Sequence, residues 1–75
     1  MKTYNSFGIM TGSYRDYQYW IHQNLYFLHS SFYLDSREKI RGMDRDTTLV
    51  LLIGDNFSFE LMDAVESYGY RIIQI

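Results

Sequence analysis

The residues best suited to chemistry cluster at two turns. Thr11-Gly12-Ser13 with Arg15 forms one, and Gly54-Asp55-Asn56 forms the other. Each follows an apolar run that reads as a strand and precedes a helical pattern. Free N–H groups in the first turn of a helix can hold an anion. Gly12 and Ser13 would offer backbone donors there, Thr11 a hydroxyl and Arg15 a charge that neutralises phosphate. Asp55 could hold a magnesium ion or a ribose hydroxyl, with Asn56 beside it. Neither turn carries G-x-G-x-x-G or G-x-x-x-x-G-K-[ST], and ordinary turn and cap chemistry accounts for both. Receiver-type phosphoacceptor chemistry would want a well-placed lysine, and Lys2 and Lys39 are the only ones.

The remaining chemical candidates are sparse. His22 and His29 stand seven apart, with Ser30 and Ser31 after the second. Nucleophilic catalysis needs a base within reach and a group that orients it. Sequence adjacency supplies neither, and a polar helix face accounts for both histidines. With no cysteine and no compact ligand cluster, disulfides are excluded, and no metal centre or cofactor is expected. No catalytic residue is assigned.

Aromatic content is the strongest functional signal. Eight tyrosines, five phenylalanines and one tryptophan make up 19% of 75 residues, without a proline. A domain of this size buries only roughly 60–65% of its unfolded surface, so its core cannot absorb every ring. Tyrosine and tryptophan suit half-buried positions and protein interfaces. Seven basic against nine acidic residues, net charge -2, make nucleic acid an unlikely partner. Lys39, Arg41 and Arg45 alternate with Glu38, Asp44 and Asp46 rather than forming a phosphate-tracking patch. The longest apolar run, Leu49–Ile53, is too short to span a membrane, and no basic leader precedes an apolar segment. A soluble cytoplasmic protein is expected.

The elements that position these residues follow from periodicity. Tyr4–Thr11 reads as a first strand with its extended core at Phe7-Gly8-Ile9-Met10. Gly12 permits a turn, and Ser13 with Asp16 forms a capping box. The helix is expected from Tyr14 to about Leu28, with Tyr14, Tyr17, Ile21, Leu25 and Leu28 on the sheet. Trp20, Asn24 and Phe27 form a neighbouring stripe, and Tyr19 and Tyr26 lie on the far side. Phe32-Tyr33-Leu34 reads as a short strand. Asp35 with Glu38 would cap a short helix whose inward residues are Ile40 and Met43. Thr47–Ile53 lacks alternation, as strands covered on both faces do, and should be central. Asp55 or Asn56 would cap a last helix over about Phe57–Tyr68, with Phe57, Leu61, Ala64, Val65 and Tyr68 buried. Phe59 and Met62 fall outside that stripe. Gly69 ends the helix, and Tyr70–Ile75 completes an edge strand.

This βαβαβαβ order predicts a small three-layer α/β, Rossmann-like domain spanning residues 1–75. Right-handed crossovers give a four-stranded, mainly parallel sheet of order 2-1-3-4. The ligand position of such a sheet, beyond the carboxyl ends of its strands, would bring Thr11, Gly12 and Ser13 near Gly54, Asp55 and Asn56.

Gly8-Ile9-Met10-Thr11-Gly12-Ser13-Tyr14-Arg15-Asp16-Tyr17 resembles the opening of small Rossmann-like proteins whose first strand ends in T-G-S. In that group the loop often meets a nucleotide. Ile40-Arg41-Gly42-Met43, followed by Leu49-Val50-Leu51-Leu52-Ile53-Gly54-Asp55, resembles small uncharacterised bacteriophage proteins of the same architecture. The resemblances touch about half the chain. They imply a small protein acting on a host protein, in the host cytoplasm, rather than an enzyme.

Two functions therefore compete. One is a non-enzymatic protein-interaction module, a modulator of a host protein, acting through Tyr19, Trp20, Tyr26, Phe27, Phe59 and Met62, or a homodimer joined through the Trp20/Phe27 face or, less favoured because of Arg71 and Gln74, through the Tyr70–Ile75 edge strand. These two ring sets need not form one patch, because their helices can lie on opposite sheet faces. The other is a small nucleotide- or phosphate-binding protein using Thr11, Gly12, Ser13, Arg15, Asp55 and Asn56.

Overall fold

A computed structural model describes residues 3–54 and 57–75. Asp55 and Asn56, expected at the ligand position and as helix caps, lie outside the described residues. The elements run β1 (Ser6–Met10), α1 (Tyr14–Gln23), a 3-10 turn (Leu25–Phe27), β2 (Ser31–Tyr33), α2 (Arg37–Arg41), β3 (Thr48–Leu52), α3 (Phe59–Ser67) and β4 (Arg71–Gln74). The sheet is all-parallel with order β2-β1-β3-β4, as the crossover rule requires.

β3 is central, and all five of its residues are buried. Its alternate side chains feed two cores. Val50 and Leu52 join Met10, Leu34, Ile40, Leu61, Val65 and Tyr70 on the face covered by α2 and α3. Leu49 and Leu51 join Ile9 on the other face, where Tyr4, Phe7, Tyr17, Trp20 and Ile53 pack over them. The first face thus carries most of the buried side chains, and the second rests on one helix.

Gly8 sits close under side chains of the β2 segment. A Cβ there would lie 3.2 Å from Leu34 Cδ2 and 3.3 Å from the Phe32 ring. Gly69, at φ +79, makes the left-handed turn that a side chain disfavours between α3 and β4.

Tyr70 staples α2 to the sheet. Its buried hydroxyl donates to the carbonyl oxygens of Met43 (2.7 Å) and Ile40 (2.9 Å), sharing one hydrogen between them. The last carbonyls of a helix lack intrahelical partners, and this phenol reaches that end of α2. Arg45 serves α3 similarly, donating from Nη1 to the Tyr68 carbonyl at 3.2 Å.

Several boundaries and burial assignments differ from expectation. α1 stops at Gln23, not near Leu28. Asn24 leaves the helical region (φ -133, ψ 58), and its Nδ2 donates back to the Trp20 carbonyl at 2.8 Å. Side-chain amides compete with the helix backbone in this way. The break swings Leu25 and Leu28 off the sheet, leaving them 60% and 43% exposed. Tyr14, also expected inward, is exposed at the start of α1. Only Ile21 is fully buried in α1, and Tyr17 is half-buried.

The caps shift as well. Ser36, not Asp35, caps α2 by accepting from Lys39 N at 3.4 Å. Asp35 instead pairs with Lys39 at 2.8 Å. Ser58 caps α3, accepting from Leu61 N at 3.4 Å, so the helix begins at Phe59 rather than Phe57. Tyr68, expected in the buried stripe, is exposed. It stands at the C-cap of α3, where the chain is already leaving the helix axis.

One polar atom stands out in the sheet. Ser31 Oγ in β2 is buried and has no hydrogen-bond partner among the described residues. A buried hydroxyl without a partner is costly. Ser31→Ala is therefore expected to raise stability by about 1 kcal/mol. Chemical denaturation monitored by circular dichroism checks this; a loss of stability would mean that the hydroxyl is satisfied.

Candidate functional site

The break at Asn24 assembles an aromatic cluster. Phe27, on the 3-10 turn, stands edge-on to Phe7 of β1 with ring centres 5.0 Å apart. Trp20 lies 5.6 Å from Phe27, and Tyr26 meets it edge-on at 5.3 Å. Such spacings are favourable for ring pairs. The cluster grades from core to surface. Trp20 packs on Ile9, Leu49 and Leu51, Phe27 is half-buried, and Tyr26 is 89% exposed. Leu25 and Leu28 flank it and are also exposed. Tyr19 is exposed on α1 but makes no ring contact with the cluster among the described residues.

Phe59 and Met62 belong to α3, which packs on the opposite face of the sheet. Phe59 is 82% exposed, whereas Met62 is half-buried against the larger core. The six residues singled out in the sequence therefore form two surfaces, not one.

A second aromatic group is missed by helical periodicity alone. Tyr14 and Tyr17 of α1 surround Tyr33 of β2, with the three ring centres 5.3–5.7 Å apart. Lys39 Nζ lies 5.8 Å from the Tyr33 ring centre and donates to the Tyr33 carbonyl at 2.8 Å. The spacing of Tyr14 and Tyr17 signals a shared helix face, but only the β1–β2 register reveals the third ring.

At the carboxyl ends of the strands, Thr11 and Gly12 line a cleft of about 130 Å³ with Tyr33, Leu34, Asp35, Phe57 and Ser58. Ligand pockets typically hold roughly 300–1,000 Å³. Two side-chain oxygens of the turn bond within it. Thr11 Oγ1 donates to the Ser13 carbonyl at 2.6 Å, and Ser13 Oγ accepts from Asp16 N at 3.2 Å. Arg15 is exposed, and neither Ser13 nor Arg15 lines the cleft. The cleft is bordered by the carboxyl ends of β1 and β2 and by the segment that leads from β3 into α3.

The histidines stand apart from this cleft. His22 Nδ1 donates to the Gln18 carbonyl at 2.7 Å within its own helix, and His29 is exposed beyond the 3-10 turn. Among the described residues no three histidine, aspartate or glutamate side chains gather as metal ligands. No described helix is long and apolar enough to cross a membrane. The fold is a small Rossmann-like α/β domain, and no family model, curated protein or solved structure matches the chain.

Proposed function

We propose that this chain is a protein-interaction module rather than an enzyme, and that it binds its partner through the aromatic cluster around Phe27. One observation carries the reading. Tyr26, 89% exposed, stands on a half-buried Trp20–Phe27 pair and between the exposed Leu25 and Leu28. Nothing in the fold needs these side chains outside, and a surface break in a helix brings them together. Large rings held rigid from below lose little freedom on binding and commonly dominate interface energetics.

The test separates binding from folding. Tyr26→Ala removes a ring that contributes almost nothing to the core. It is expected to leave the circular dichroism spectrum unchanged and to weaken partner binding by roughly tenfold or more. The immobilised chain would capture the partner from its source cell, and titration would then compare wild type with variant. Trp20→Ala cannot serve, because that indole also covers Ile9, Leu49 and Leu51. Equal affinity of wild type and Tyr26→Ala, or no retained partner, would overturn the reading.

A further inference from the structure

We propose that β4 is a self-pairing edge, through which two copies of this chain join their sheets antiparallel about a two-fold axis at Ile73. This surface is separate from the Phe27 cluster and does not depend on it.

The backbone directions come first. β4 pairs only with β3. The Ile75 N–H donates inward to the Leu52 carbonyl at 2.9 Å. Backbone groups alternate in direction along a strand in a parallel ladder, so Arg71 and Ile73 also point inward while Ile72 and Gln74 point outward. Among the described residues no strand lies beside the outward N–H and C=O groups of Ile72 and Gln74. Natural edges are commonly blunted by proline, bulges or several charges. β4 has none of these except Arg71.

Apolar side chains border this edge on both faces. Ile73 and Ile75 are 41% and 63% exposed on the α1 face. Ile72 is half-buried on the α3 face, against the same core as Met62. At helical spacing Phe59, Met62 and Glu66 share one flank of α3. Ala64, on the flank opposite Met62, lines a cleft with Arg37 and Arg41 of α2. The Met62 flank therefore lies toward the β4 side, with the exposed Phe59 at its outer margin.

These features are self-complementary, which selects a second copy as the occupant. Pairing Ile72 of one copy with Gln74 of the other satisfies every outward backbone group of both residues, since a hydrogen-bonded antiparallel pair exchanges both bonds. Residues facing each other across such a join point to the same side, so Ile73 meets its own counterpart. The two Arg71 side chains lie at opposite ends of the join, where like charges do not oppose. The α3 helices of the two copies run antiparallel on the same side of the joined sheet.

Gln74→Pro removes one outward donor and leaves the inward ladder intact, because proline is tolerated where a strand N–H faces away from its sheet. Sedimentation equilibrium of the wild-type chain is expected to give twice the chain mass at about 0.1 mM. Gln74→Pro is expected to give a single chain mass with an unchanged circular dichroism spectrum. Phe59→Glu, on an exposed side chain, should weaken association roughly tenfold or more and decides the matter if the proline variant does not fold. Amide exchange at Ile72 and Gln74 should slow as wild-type concentration rises. Tyr26→Ala should leave the mass unchanged, so failure here is distinguishable from failure of the ring surface. A monomeric wild type, or a dimer that Gln74→Pro and Phe59→Glu leave equally tight, would overturn the proposal, as would amides protected only by a different protein.

Discussion

Ile9→Ala is expected to remove a large share of the molecule's stability. Ile9 is completely buried at the centre of the smaller core, where among the described residues Leu49 and Leu51 are the buried side chains clustered with it. Truncating a buried isoleucine to alanine costs about 2–5 kcal/mol, more where the site cannot collapse. The floor of this site is the pleated backbone of β1 and β3, which cannot move inward, so the cavity would persist. A chain of this length has roughly 4–11 kcal/mol of stability in all. The denaturation midpoint should therefore fall steeply, and the variant should be partly unfolded at ordinary temperature. Trp20 fluorescence is the direct probe, because its indole lies on the same cluster. Ile73→Ala, at an exposed position on the same face, should change the monomer's stability by less than about 0.5 kcal/mol. Similar losses from both variants would mean that the α1 face is not an organised core.

Tyr70→Phe should destabilise by about 1–3 kcal/mol and also weaken the dependence of stability on alkaline pH. The hydroxyl of Tyr70 serves two main-chain carbonyls that sit 27 and 30 positions earlier in the chain. Removing it leaves the Met43 carbonyl without that donor, whereas Ile40 still accepts from Met43 N at 3.2 Å. Burial raises the phenol above its ordinary value of 10.0; Arg45 opposes this, and Asp44 and Tyr68 add to it. Both hydrogen bonds also require the protonated form. The folded state thus holds this proton more tightly than the unfolded state does. Its contribution is complete below about pH 10 and is lost as pH climbs through the raised value. Wild type should lose stability along that alkaline limb, and Tyr70→Phe should lose less. Urea denaturation at a series of pH values measures both slopes. Parallel slopes would show that other groups govern alkaline unfolding.

Much of the fold was legible because its signals are local. The continuous run Thr47–Ile53 announced a strand buried on both faces, and β3 is that strand. Gly69 marked the end of α3, and Ser13 marked the start of α1. Given four strands joined by helices, chirality left the order 2-1-3-4 as the natural arrangement. The ring surplus was equally plain in composition.

The placement of those rings was not legible. A helical wheel assumes that the helix continues, and the Asn24 side chain ends it by binding the Trp20 carbonyl. Beyond that point the wheel assigned Leu25 and Leu28 to the core, and the real chain turns them outward. Cap assignment failed in the same manner. Asp35 is a good cap by type, yet Lys39 draws it into an ion pair and Ser36 takes the role. At the expected strand-end site the Thr11 and Ser13 side-chain oxygens bond within their own turn, and Asp55 and Asn56 lie outside the described residues.

By itself, then, the sequence determined the kinds of element, their order and the central strand, since each rests on the spacing of neighbouring residues. Only the tertiary structure decided which rings are buried, that Tyr70 clamps α2, and that Phe59 and Phe27 lie on separate surfaces. Those outcomes depend on contacts between residues far apart in the chain, whose energies exceed the local preferences that a periodicity can express.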